Sequence, residues 1–461
     1  MKKLSVSEAL AAARETRSVE IGSGILHITP RVFREQFGER PAIIVTDTNT
    51  FAVAGKTVAA AFAAAGHKTL EPYIFTAPDL YAEHRFVVEL ETALRQHDAI
   101  PVAVGSGTIN DLAKLASHRT NRPYMCVATA ASMDGYTAFG ASITYKGAKQ
   151  TFTCPAPVAA IADLNVICRA PGKMNAWGYA DLISKVPAGA DWIFADALGA
   201  EPIHAQAWQI VQPGLRDSLS NPSGVKNGET EATLKLIEGL MLGGFAMQAA
   251  SSSRPASGAE HQFSHLWDMQ HHTHNGAAPS HGFKVGIATL AVTALYEYVL
   301  AQPIEKLDVE QCCANWPDQK TQETCVRQLF AKDDFADKAV EETMAKYSSR
   351  EQLRAQLEKL RSDWPQLKNR IREQLLPFEE LKGMLQRVGA PTDPEEIGIS
   401  RKRLRDSFRL AYHIRRRFTI LDVVIRTGML EEALDNIFGA NSVWPAETSA
   451  DNSFGKLASH A

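Results

Sequence analysis

The chain has 461 residues, too long for one ordinary hydrophobic core, and this length predicts two large domains. Apolar residues make up 45% of it and charged residues 22%, a globular composition that excludes an intrinsically disordered chain. Its 49 basic and 52 acidic side chains nearly cancel, so no net field draws the whole molecule to nucleic acid or to an anionic membrane, and any anion site must be local.

Short apolar runs alternate with helical patterns between about residues 41 and 128, and the runs include PAIIVT, AIPVAV and PYMCVA. This alternation is typical of βαβ units, which build a parallel sheet covered by helices. Residues 139–163 mix β-branched residues with turn formers and predict a hairpin followed by a last strand. We therefore assign residues 1–168 to an α/β, Rossmann-like domain with a parallel sheet.

Helical periodicity with few β-rich runs continues from Pro171 to about residue 438 and predicts an all-α domain over residues 169–440. Residues 441–461 have the composition of a poorly ordered tail. No apolar run reaches the ~18 residues of a spanning helix, and charges interrupt the start MKKLSVSEALAAARETRS, where a signal peptide needs an apolar region. The six cysteines form no CxxC pair. We expect a cytoplasmic protein with no membrane span and no disulfide scaffold.

A glycine-rich turn joins the predicted strand AIPVAV to the next helix and contains Gly105, Ser106 and Gly107. Glycines let the backbone approach a pyrophosphate closely, and the free N–H groups at a helix start bind its charge, so the turn indicates a dinucleotide. The alternative is a turn without a ligand, in which Asp111 only favours the helix start and Lys114 lies on a solvated face.

Two other polar turns are predicted at the same end of the sheet. Asp47 ends the strand IIVTD, where an acidic side chain can accept hydrogen bonds from an adenosine ribose or can simply shape the turn. The turn VATAASMDG places Thr129, Ser132 and Asp134 at the carboxyl edge, where open α/β sheets bind ligands. Asp134 can equally be a turn former before Gly135. Two such loops together favour a ligand site.

Three segments of the helical part carry residues that bind metals. They are GYADLISK with Asp181, SSSRPASGAEHQFSH with His261 and His265, and SHGFKVG with His281. One carboxylate and imidazoles from separate helices suit a divalent catalytic metal with an open coordination position. Each residue can instead be an ordinary core or surface residue, and the one-turn spacing of His261 and His265 allows both or only one to bind. The histidine tract at 271–274 is predicted to be a solvated loop, although such tracts sometimes bind metal.

Together, the motifs GSGTINDLAK, TAASMDG, GYADLISK, SSSRPASGAEHQFSH and SHGFKVG resemble the glycerol-1-phosphate dehydrogenase family, within the larger group of iron-containing alcohol dehydrogenases and dehydroquinate synthases; they cover roughly residues 45–290. The resemblance implies a dehydroquinate synthase-like fold, a Rossmann-like domain followed by a helical one. It also implies an NAD(P)-linked oxidoreductase that interconverts dihydroxyacetone phosphate and sn-glycerol 1-phosphate with one divalent metal ion, which is zinc, nickel or iron.

The resemblance also implies roles for single residues. Asp181, His261 and His281 match the metal ligands, and the catalytic set comprises Asp134, Asp181 and His265, with Asp134 and His265 facing the substrate. The positions that match the family's nucleotide-binding residues are Asp47, Gly105, Gly107, Thr108, Ile109, Asn110, Asp111, Thr129, Ala130, Ala131 and Ser132.

Two positions depart from the family pattern. Ala138 stands where family members often have Ser, which removes one hydrogen bond to the cofactor, and Phe283 stands where they often have Glu, which leaves the substrate open. The alternative substrate is an unphosphorylated polyol such as glycerol. The run MDGYTAFG lacks the Ser-Val-Gly-Gly-Lys sequence of dehydroquinate synthases, which argues against a cyclising lyase.

A phosphorylated substrate needs cations, and the candidates near the motifs are Lys146, Lys149, Arg254 and Lys284. Each of them can equally be a surface charge, since isolated Lys and Arg are mostly exposed. We further expect a homo-oligomer, of a size that the sequence does not specify.

The segment 401–418, RKRLRDSFRLAYHIRRRF, carries eight Arg and Lys side chains on a predicted helix and raises the alternative of nucleic-acid binding. Leu404, Phe408 and Ala411 recur on one face of that helix. This periodicity favours a packed helix with a basic, solvated edge, and we expect no nucleic-acid partner.

Overall fold

The computed structural model describes residues 3–145, 148–440 and 442–445. Its eight strands are β1 Ser18–Gly22, β2 Ala42–Asp47, β3 Tyr73–Phe75, β4 Ile100–Gly105, β5 Met125–Ala128, β6 Ala141–Tyr145, β7 Ala148–Phe152 and β8 Ala159–Asp163. Six of them form one parallel sheet in the order β1-β8-β5-β4-β2-β3. Strands β6 and β7 form a separate antiparallel hairpin. The predicted parallel sheet, hairpin and last strand are confirmed, whereas β1 was not predicted.

The inner strands β4, β5 and β8 are buried along their whole length because helices cover both faces of the sheet, as is usual for parallel sheets. In β2, Ile43 and Val45 pack into one hydrophobic cluster and Ile44 into another, because successive side chains point to opposite faces. The helices of this part are α1 Val6–Leu10, α2 Thr29–Phe37, α3 Thr48–Thr50, α4 Lys56–Ala64, α5 His84–Leu94, α6 Gly107–Arg119 and α7 Leu164–Ile167.

The strand order of the sheet reverses between β2 and β4. From β2 the chain moves outward to β3, and it then returns to place β4 on the other side of β2. Ligands of open α/β sheets bind at such a reversal, outside the carboxyl ends of the strands. Asp47 at the end of β2 and Gly105 at the end of β4 lie on the two sides of it.

No strand occurs after Asp163 in the ranges that the structure describes, which confirms a mostly helical C-terminal part. Its helices are α8 Gly172–Ile183, α9 Lys185–Ala197, α10 Ala205–Ser218, α11 Pro222–Asn227, α12 Thr230–Ala250, α13 Ala259–Met269, α14 His281–Ala301, α15 Val309–Asn315, α16 Gln319–Leu329, α17 Ala336–Met344, α18 Arg350–Gln374, α19 Phe378–Val388, α20 Arg401–Ala411, α21 Ile420–Arg426 and α22 Leu430–Phe438. The short α1 packs against α12, so the N-terminal residues also contact the helical part. The boundary near residue 168 stays a prediction.

One helix differs from the expectation that no apolar run has the length of a membrane span. By length and composition alone, helix α14 is long and apolar enough to cross a membrane. However, 89% of its most apolar window is buried inside the fold. It packs against α8 and α13, as the central helix of a globular core does.

The basic segment 401–418 is not one helix. Helix α20 ends at Ala411, a 3₁₀ turn follows, and Arg415 is extended. The reason is tertiary, because Arg254 donates to the carbonyl of Phe418 at 2.9 Å and Gln262 to that of Arg417 at 3.3 Å, which binds these carbonyls outside a helix. The predicted packing face is confirmed, since Leu404, Phe408 and Ala411 are all buried.

Most of the predicted tail lies outside the described residues, which end at position 445. Within the part that is described, Trp444 is fully buried and stacks on Phe438 with ring centroids 6.3 Å apart. The start of the tail is therefore packed against α22.

Candidate active site

Asp181, His261 and His281 lie together in the helical part. They come from α8, α13 and α14, and one ligand atom of each lies within 4.8 Å of the others. His261 Nε2 is 3.7 Å from Asp181 Oδ1, and the His261 and His281 rings are 5.2 Å apart. One carboxylate and two imidazoles at this spacing are a donor set for a divalent metal that keeps an open position.

Two glycines allow the elements that carry this cluster to approach so closely. A Cβ on Gly282 would lie 2.0 Å from the carbonyl oxygen of Trp177, so the start of α14 packs directly on α8. A Cβ on Gly178 would lie 2.0 Å from the carbonyl oxygen of Ala131, so α8 packs directly on the loop after β5. The glycines of the WGYAD and SHG motifs thus bring the donors to the edge of the sheet.

Lys185 joins the cluster to the loop after β5, and the sequence analysis missed it. Its Nζ is 2.8 Å from Asp134 Oδ2 and 2.8 Å from Asp181 Oδ1, and its side chain is fully buried. The backbone N–H of Asp134 donates to Asp181 Oδ2 at 3.1 Å. The sequence feature that could have indicated Lys185 is its position four residues after Asp181 in an otherwise apolar stretch.

The charges of this cluster set its protonation state. Burial alone would raise the pKa of Asp181, but Lys185, His281 and His261 outweigh it and hold that pKa well below its usual range. Burial and the neighbouring Asp181 raise the pKa of Asp134 to about 6. Burial and Lys185 lower the pKa of His261 to about 3. An ionised carboxylate and a neutral imidazole are the forms that bind a metal.

Glu260 supports His261 and was also missed. Its Oε1 is 2.8 Å from His261 Nδ1 and also accepts a hydrogen bond from the backbone N–H of Gly258. Burial raises the pKa of this carboxyl to about 7. A carboxylate on Nδ1 fixes the tautomer and leaves Nε2 for the metal. The sequence feature that could have indicated Glu260 is its position next to His261 in the run GAEH.

Replacing Glu260 with Gln is expected to weaken metal binding by about tenfold, the lower end of the range for outer partners of metal ligands. The amide keeps the shape of the side chain but removes the charge that makes the imidazole more basic. Competition with a chromogenic chelator measures the affinity. The control is Glu380→Gln, an exposed glutamate in α19. Equal affinities of the two variants would exclude a supporting role for Glu260.

The other predicted histidines lie beside or away from the cluster. The ring of His265 is 6.3 Å from that of His261 and 6.1 Å from that of His281, a position next to the three donors. In the tract 271–274, His272 is buried and hydrogen-bonds the carbonyl of Ile397 at 2.7 Å. The prediction that the whole tract is solvated is therefore wrong, because His272 packs into the fold.

The glycine-rich turn lies where it was predicted, between β4 and α6. A Cβ on Gly105 would lie 2.5 Å from Ile109 Cβ, and one on Gly107 would lie 2.9 Å from Met133 Sδ. Packing against the β-branched Ile109 requires Gly105 whether or not a ligand binds, whereas the flexible Met133 side chain could move away from a Cβ on Gly107. Ser106 occupies the N-cap of α6, but its side chain makes no capping hydrogen bond.

The remaining nucleotide-loop candidates lie at the same edge. Ile109, Ala130 and Ala131 are buried, and the backbone N–H of Ala131 donates to Asn175 Oδ1 at 3.2 Å. Thr129 follows β5, and its N–H donates to the carbonyl of Gly105 at 3.1 Å. Ser132 Oγ hydrogen-bonds the hydroxyl of Tyr136 at 3.0 Å. Thr108 lies in the first turn of α6.

Asp47 caps the short helix α3. One carboxylate oxygen accepts hydrogen bonds from the N–H groups of Asn49 and Thr50 at 2.8 and 3.0 Å. The other oxygen accepts the Thr50 hydroxyl at 2.9 Å. The turn-forming alternative thus describes what Asp47 does in this structure, and a contact with ribose stays a prediction.

Lys114 is not on a solvated face, so that expectation is wrong. It is buried, and its Nζ donates to the carbonyls of Gly135, Ala138 and Gly140 at 2.8 to 3.0 Å. Its ammonium thereby holds the loop after β5 in shape.

The neighbouring polar residues of α6 are also tied to that loop and the hairpin. Asp111 accepts a hydrogen bond from the N–H of Ser142 at 3.2 Å, so it does more than favour the start of α6. Asn110 donates to the carbonyl of Gly135 at 3.3 Å.

Two of the four cations considered for a substrate phosphate are already bonded inside the fold. Arg254 is buried and donates to the carbonyls of Phe418 and Asp191 at 2.9 and 2.8 Å. Lys284 is buried and paired with Asp268.

The side chains of the other two cations lie outside the part of the chain that the structure describes. Lys146 lies outside the described residues, as does the side chain of Lys149. Of the two departures from the family pattern, Ala138 is buried, and the ring of Phe283 packs edge-on against Trp177 with centroids 6.2 Å apart.

A parallel sheet with a ligand edge, next to a carboxylate and two imidazoles from separate helices, defines an oxidoreductase of the iron-containing alcohol dehydrogenase class. The model of that family, "Iron-containing alcohol dehydrogenase", matches residues 20–171. A probable glycerol dehydrogenase from Sinorhizobium meliloti shares the fold, with a TM-score of 0.57 over 91% of this chain and 96% of that one, at 14% identity.

The sequence relatives are more specific. A glycerol-1-phosphate dehydrogenase [NAD(P)+] from Halalkalibacterium halodurans is 33% identical over 299 residues, 64% of this chain and 74% of the relative. One from Methanosarcina mazei is 35% identical over 284 residues, 61% of this chain and 76% of the relative. The chain belongs to the glycerol-1-phosphate dehydrogenase family, and the resemblance seen in the five motifs is confirmed.

Proposed function

We propose that this enzyme catalyses the reversible reduction of dihydroxyacetone phosphate to sn-glycerol 1-phosphate with NADH or NADPH. A hydride passes from the dihydronicotinamide to the ketone carbon, and a proton passes to the ketone oxygen. The observation that carries the proposal is the Asp181–His261–His281 cluster at the carboxyl edge of the sheet, to which Asp134 is directly bonded. The names of the relatives support the choice of substrate.

The donor set fits one divalent ion, and Asp181, His261 and His281 would hold it. Zinc, nickel and iron all accept carboxylate and imidazole ligands, so the donors do not choose among them. When bound, the ion supplies Lewis-acid polarisation of the ketone.

The nucleotide would lie along the turn between β4 and α6 and the loop after β5. The backbone N–H groups at the start of α6 would bind its pyrophosphate, which agrees with the missing side-chain cap at Ser106. Asp47, across the reversal of the strand order, would contact the ribose. Lys114 would hold the loop after β5 in the shape that this binding needs.

Side chains beside the metal donors would handle the proton and the charge. Lys185 contacts both Asp134 and Asp181 and offsets one of their two negative charges next to a phosphorylated substrate. Asp134 lies where it can contact the substrate. His265, one helical turn from His261, or a water molecule would exchange the proton with the substrate oxygen.

Turnover of dihydroxyacetone phosphate and of dihydroxyacetone by the purified protein tests this proposal. NAD(P)H oxidation is followed before and after chelation, with metal analysis of the same sample. We expect one divalent ion per chain, loss of activity on chelation, and a clear preference for the phosphorylated ketone. A preference for the unphosphorylated ketone would instead support the alternative, a polyol dehydrogenase.

We also propose that the enzyme works in the cytoplasm. All six cysteines are free, which agrees with a reducing compartment. The homo-oligomer expected from the sequence stays a prediction, and light scattering of the purified protein would measure it.

A further inference from the structure

A cavity of about 680 Å³ opens in the helical part, between α17, α21 and the segment 414–418. This volume is typical of small-molecule sites. Six cationic side chains line the cavity: Lys338, Lys346, Arg415, Arg416, Arg417 and Arg426. Nothing in the proposed reaction requires so many cations at this place.

The two carboxylates that line the cavity are already paired. Glu342 accepts hydrogen bonds from the Arg416 guanidinium at 2.8 and 3.0 Å and lies 2.8 Å from Lys338 Nζ. Glu201 lies 3.4 Å from Arg254 Nε. Each carboxylate therefore already lies against another cation of the fold.

Two more of the lining cations share a buried aspartate. Lys346 Nζ lies 3.2 Å from Asp422 Oδ2, and Arg426 lies 3.6 Å from Asp422 Oδ1. These two cations are therefore at least partly compensated by the protein itself.

In the described residues, neither Arg415 nor Arg417 has a carboxylate oxygen within 4 Å, and Glu342, Glu201 and Glu260 act on them only at longer range. Arg415 makes no hydrogen bond or ion pair with any residue in the described ranges. Arg417 donates only to neutral oxygens, the carbonyl and hydroxyl of Ser257 at 2.7 and 2.6 Å and the hydroxyl of Ser253 at 3.0 Å. Burial lowers the pKa of Arg417 to about 9, and repulsion by the nearby cations Arg254 and Arg415 adds to this effect. A bound anion would relieve that repulsion.

We propose that this cavity binds the phosphate of a small molecule through Arg415 and Arg417. The planar guanidinium fork matches phosphate oxygens two at a time, which a lone ammonium does not. The arginines of the adjoining helix α20 differ, because Arg405 pairs with Asp435 and Arg409 with Glu431. Of the cavity-lining arginines of this segment, Arg416 is paired with Glu341 and Glu342, whereas Arg415 and Arg417 have no such pair in the described residues.

A cavity-lining arginine, Arg417, contacts residues that are close in sequence to the metal donor His261. Arg417 bonds Ser257, two residues before α13 begins, and its carbonyl accepts from Gln262, the neighbour of His261. The phosphate can therefore belong to the substrate, with its reacting end at the metal, or to a separate phosphate ester. The inference does not rest on the proposed reaction, because binding is measurable without turnover.

Isothermal titration of the full-length, metal-loaded protein with pyrophosphate at low salt tests the site. We expect saturable binding that weakens with added salt. Arg415→Gln is expected to weaken it at least about tenfold, the scale of a lost charged hydrogen bond. Arg405→Gln is the control, since it removes an equal charge from the same segment outside the cavity. Absence of saturable binding in the wild type, or equal affinities in the wild type and Arg415→Gln, would overturn the proposal.

Folding does not confound this test, because Arg415 makes no bond that the fold needs. The melting temperature of Arg415→Gln without pyrophosphate is expected to equal or exceed that of the wild type, since a repulsive charge is removed. Arg415→Lys keeps the charge without the fork, and we expect an affinity between those of the wild type and Arg415→Gln. A lysine variant that binds as tightly as the wild type would refute recognition by the fork.

Steady-state kinetics of Arg415→Gln identify the source of the phosphate. A raised KM for dihydroxyacetone phosphate with an unchanged KM for dihydroxyacetone assigns the cavity to the substrate. An unchanged KM for both, with pyrophosphate binding lost, assigns it to a separate phosphate ester. Absence of turnover with either ketone would contradict the proposed reaction and leave the binding result standing.

Discussion

Replacing His281 with Ala is expected to leave the purified protein without its divalent metal and to reduce NAD(P)H-dependent turnover to near background. His281 is one of the three donors that meet within 4.8 Å among the residues that the structure describes, so two of these ligands would remain to hold the ion. The loss should exceed the roughly 10–100-fold typical of losing an outer partner of a ligand. Since His281 is partly exposed at the first position of α14, its truncation leaves the core intact.

Metal analysis and kcat/KM with dihydroxyacetone phosphate measure this effect, and circular dichroism checks the fold. The matched control is His271→Ala, which removes a half-exposed histidine from the tract 271–274. We expect the control to keep both metal and activity. A His281→Ala protein with a full complement of metal and wild-type turnover would mean that the ion binds elsewhere.

Replacing Lys185 with Met is expected to destabilise the metal-free protein by about 3–5 kcal/mol, the cost of breaking a buried ion pair by removing one partner. Lys185 is fully buried between Asp134 and Asp181, and methionine fills a similar volume without the charge. The two carboxylates would then face each other without a cation. Adding a divalent ion should recover part of the loss, because the ion itself would oppose the charge of Asp181.

Urea unfolding monitored by tryptophan fluorescence, with and without metal, gives the free energies of unfolding. The control is Lys235→Met, which removes a lysine that also bridges two carboxylates, Asp217 at 3.0 Å and Glu231 at 3.7 Å, but at the surface. A much smaller change is expected there, since solvent screens exposed pairs. If both variants unfold at the same urea concentration, the buried triad does not stabilise the fold.

The fold could be predicted where its signal was local. The alternation of apolar runs and helical patterns predicted the parallel sheet, because strands covered on both faces are apolar throughout. Strand β1 was not predicted because SVEIG is half-buried along its whole length and shows no apolar run. It pairs with β8, whose residues are far away in the sequence. The apolar content of α14 likewise fits either a core helix or a membrane span until its neighbours are known.

The candidate site also has features that the sequence predicted and features that it did not. The sequence by itself determined which residue types carry the chemistry, since Asp181, His261 and His281 stand in three motifs with a carboxylate and imidazoles on separate predicted helices. It did not show the partners of those residues. Lys185 pairs with Asp134, and Lys114 bonds the loop 135–140. Arg415 has no ion pair among the described residues. Each of these outcomes depends on how distant segments pack.

Tertiary structure alone decided these pairings for a physical reason. The charge and protonation of a buried group depend on the groups within a few ångströms and on its removal from water, and both are properties of the assembled core. The sequence does not distinguish a solvated lysine from one that donates to several carbonyls or lies between two carboxylates. The residue types that can bind a metal are thus written along the chain, whereas their electrostatic state and the uncompensated cations of the cavity exist only in the folded molecule.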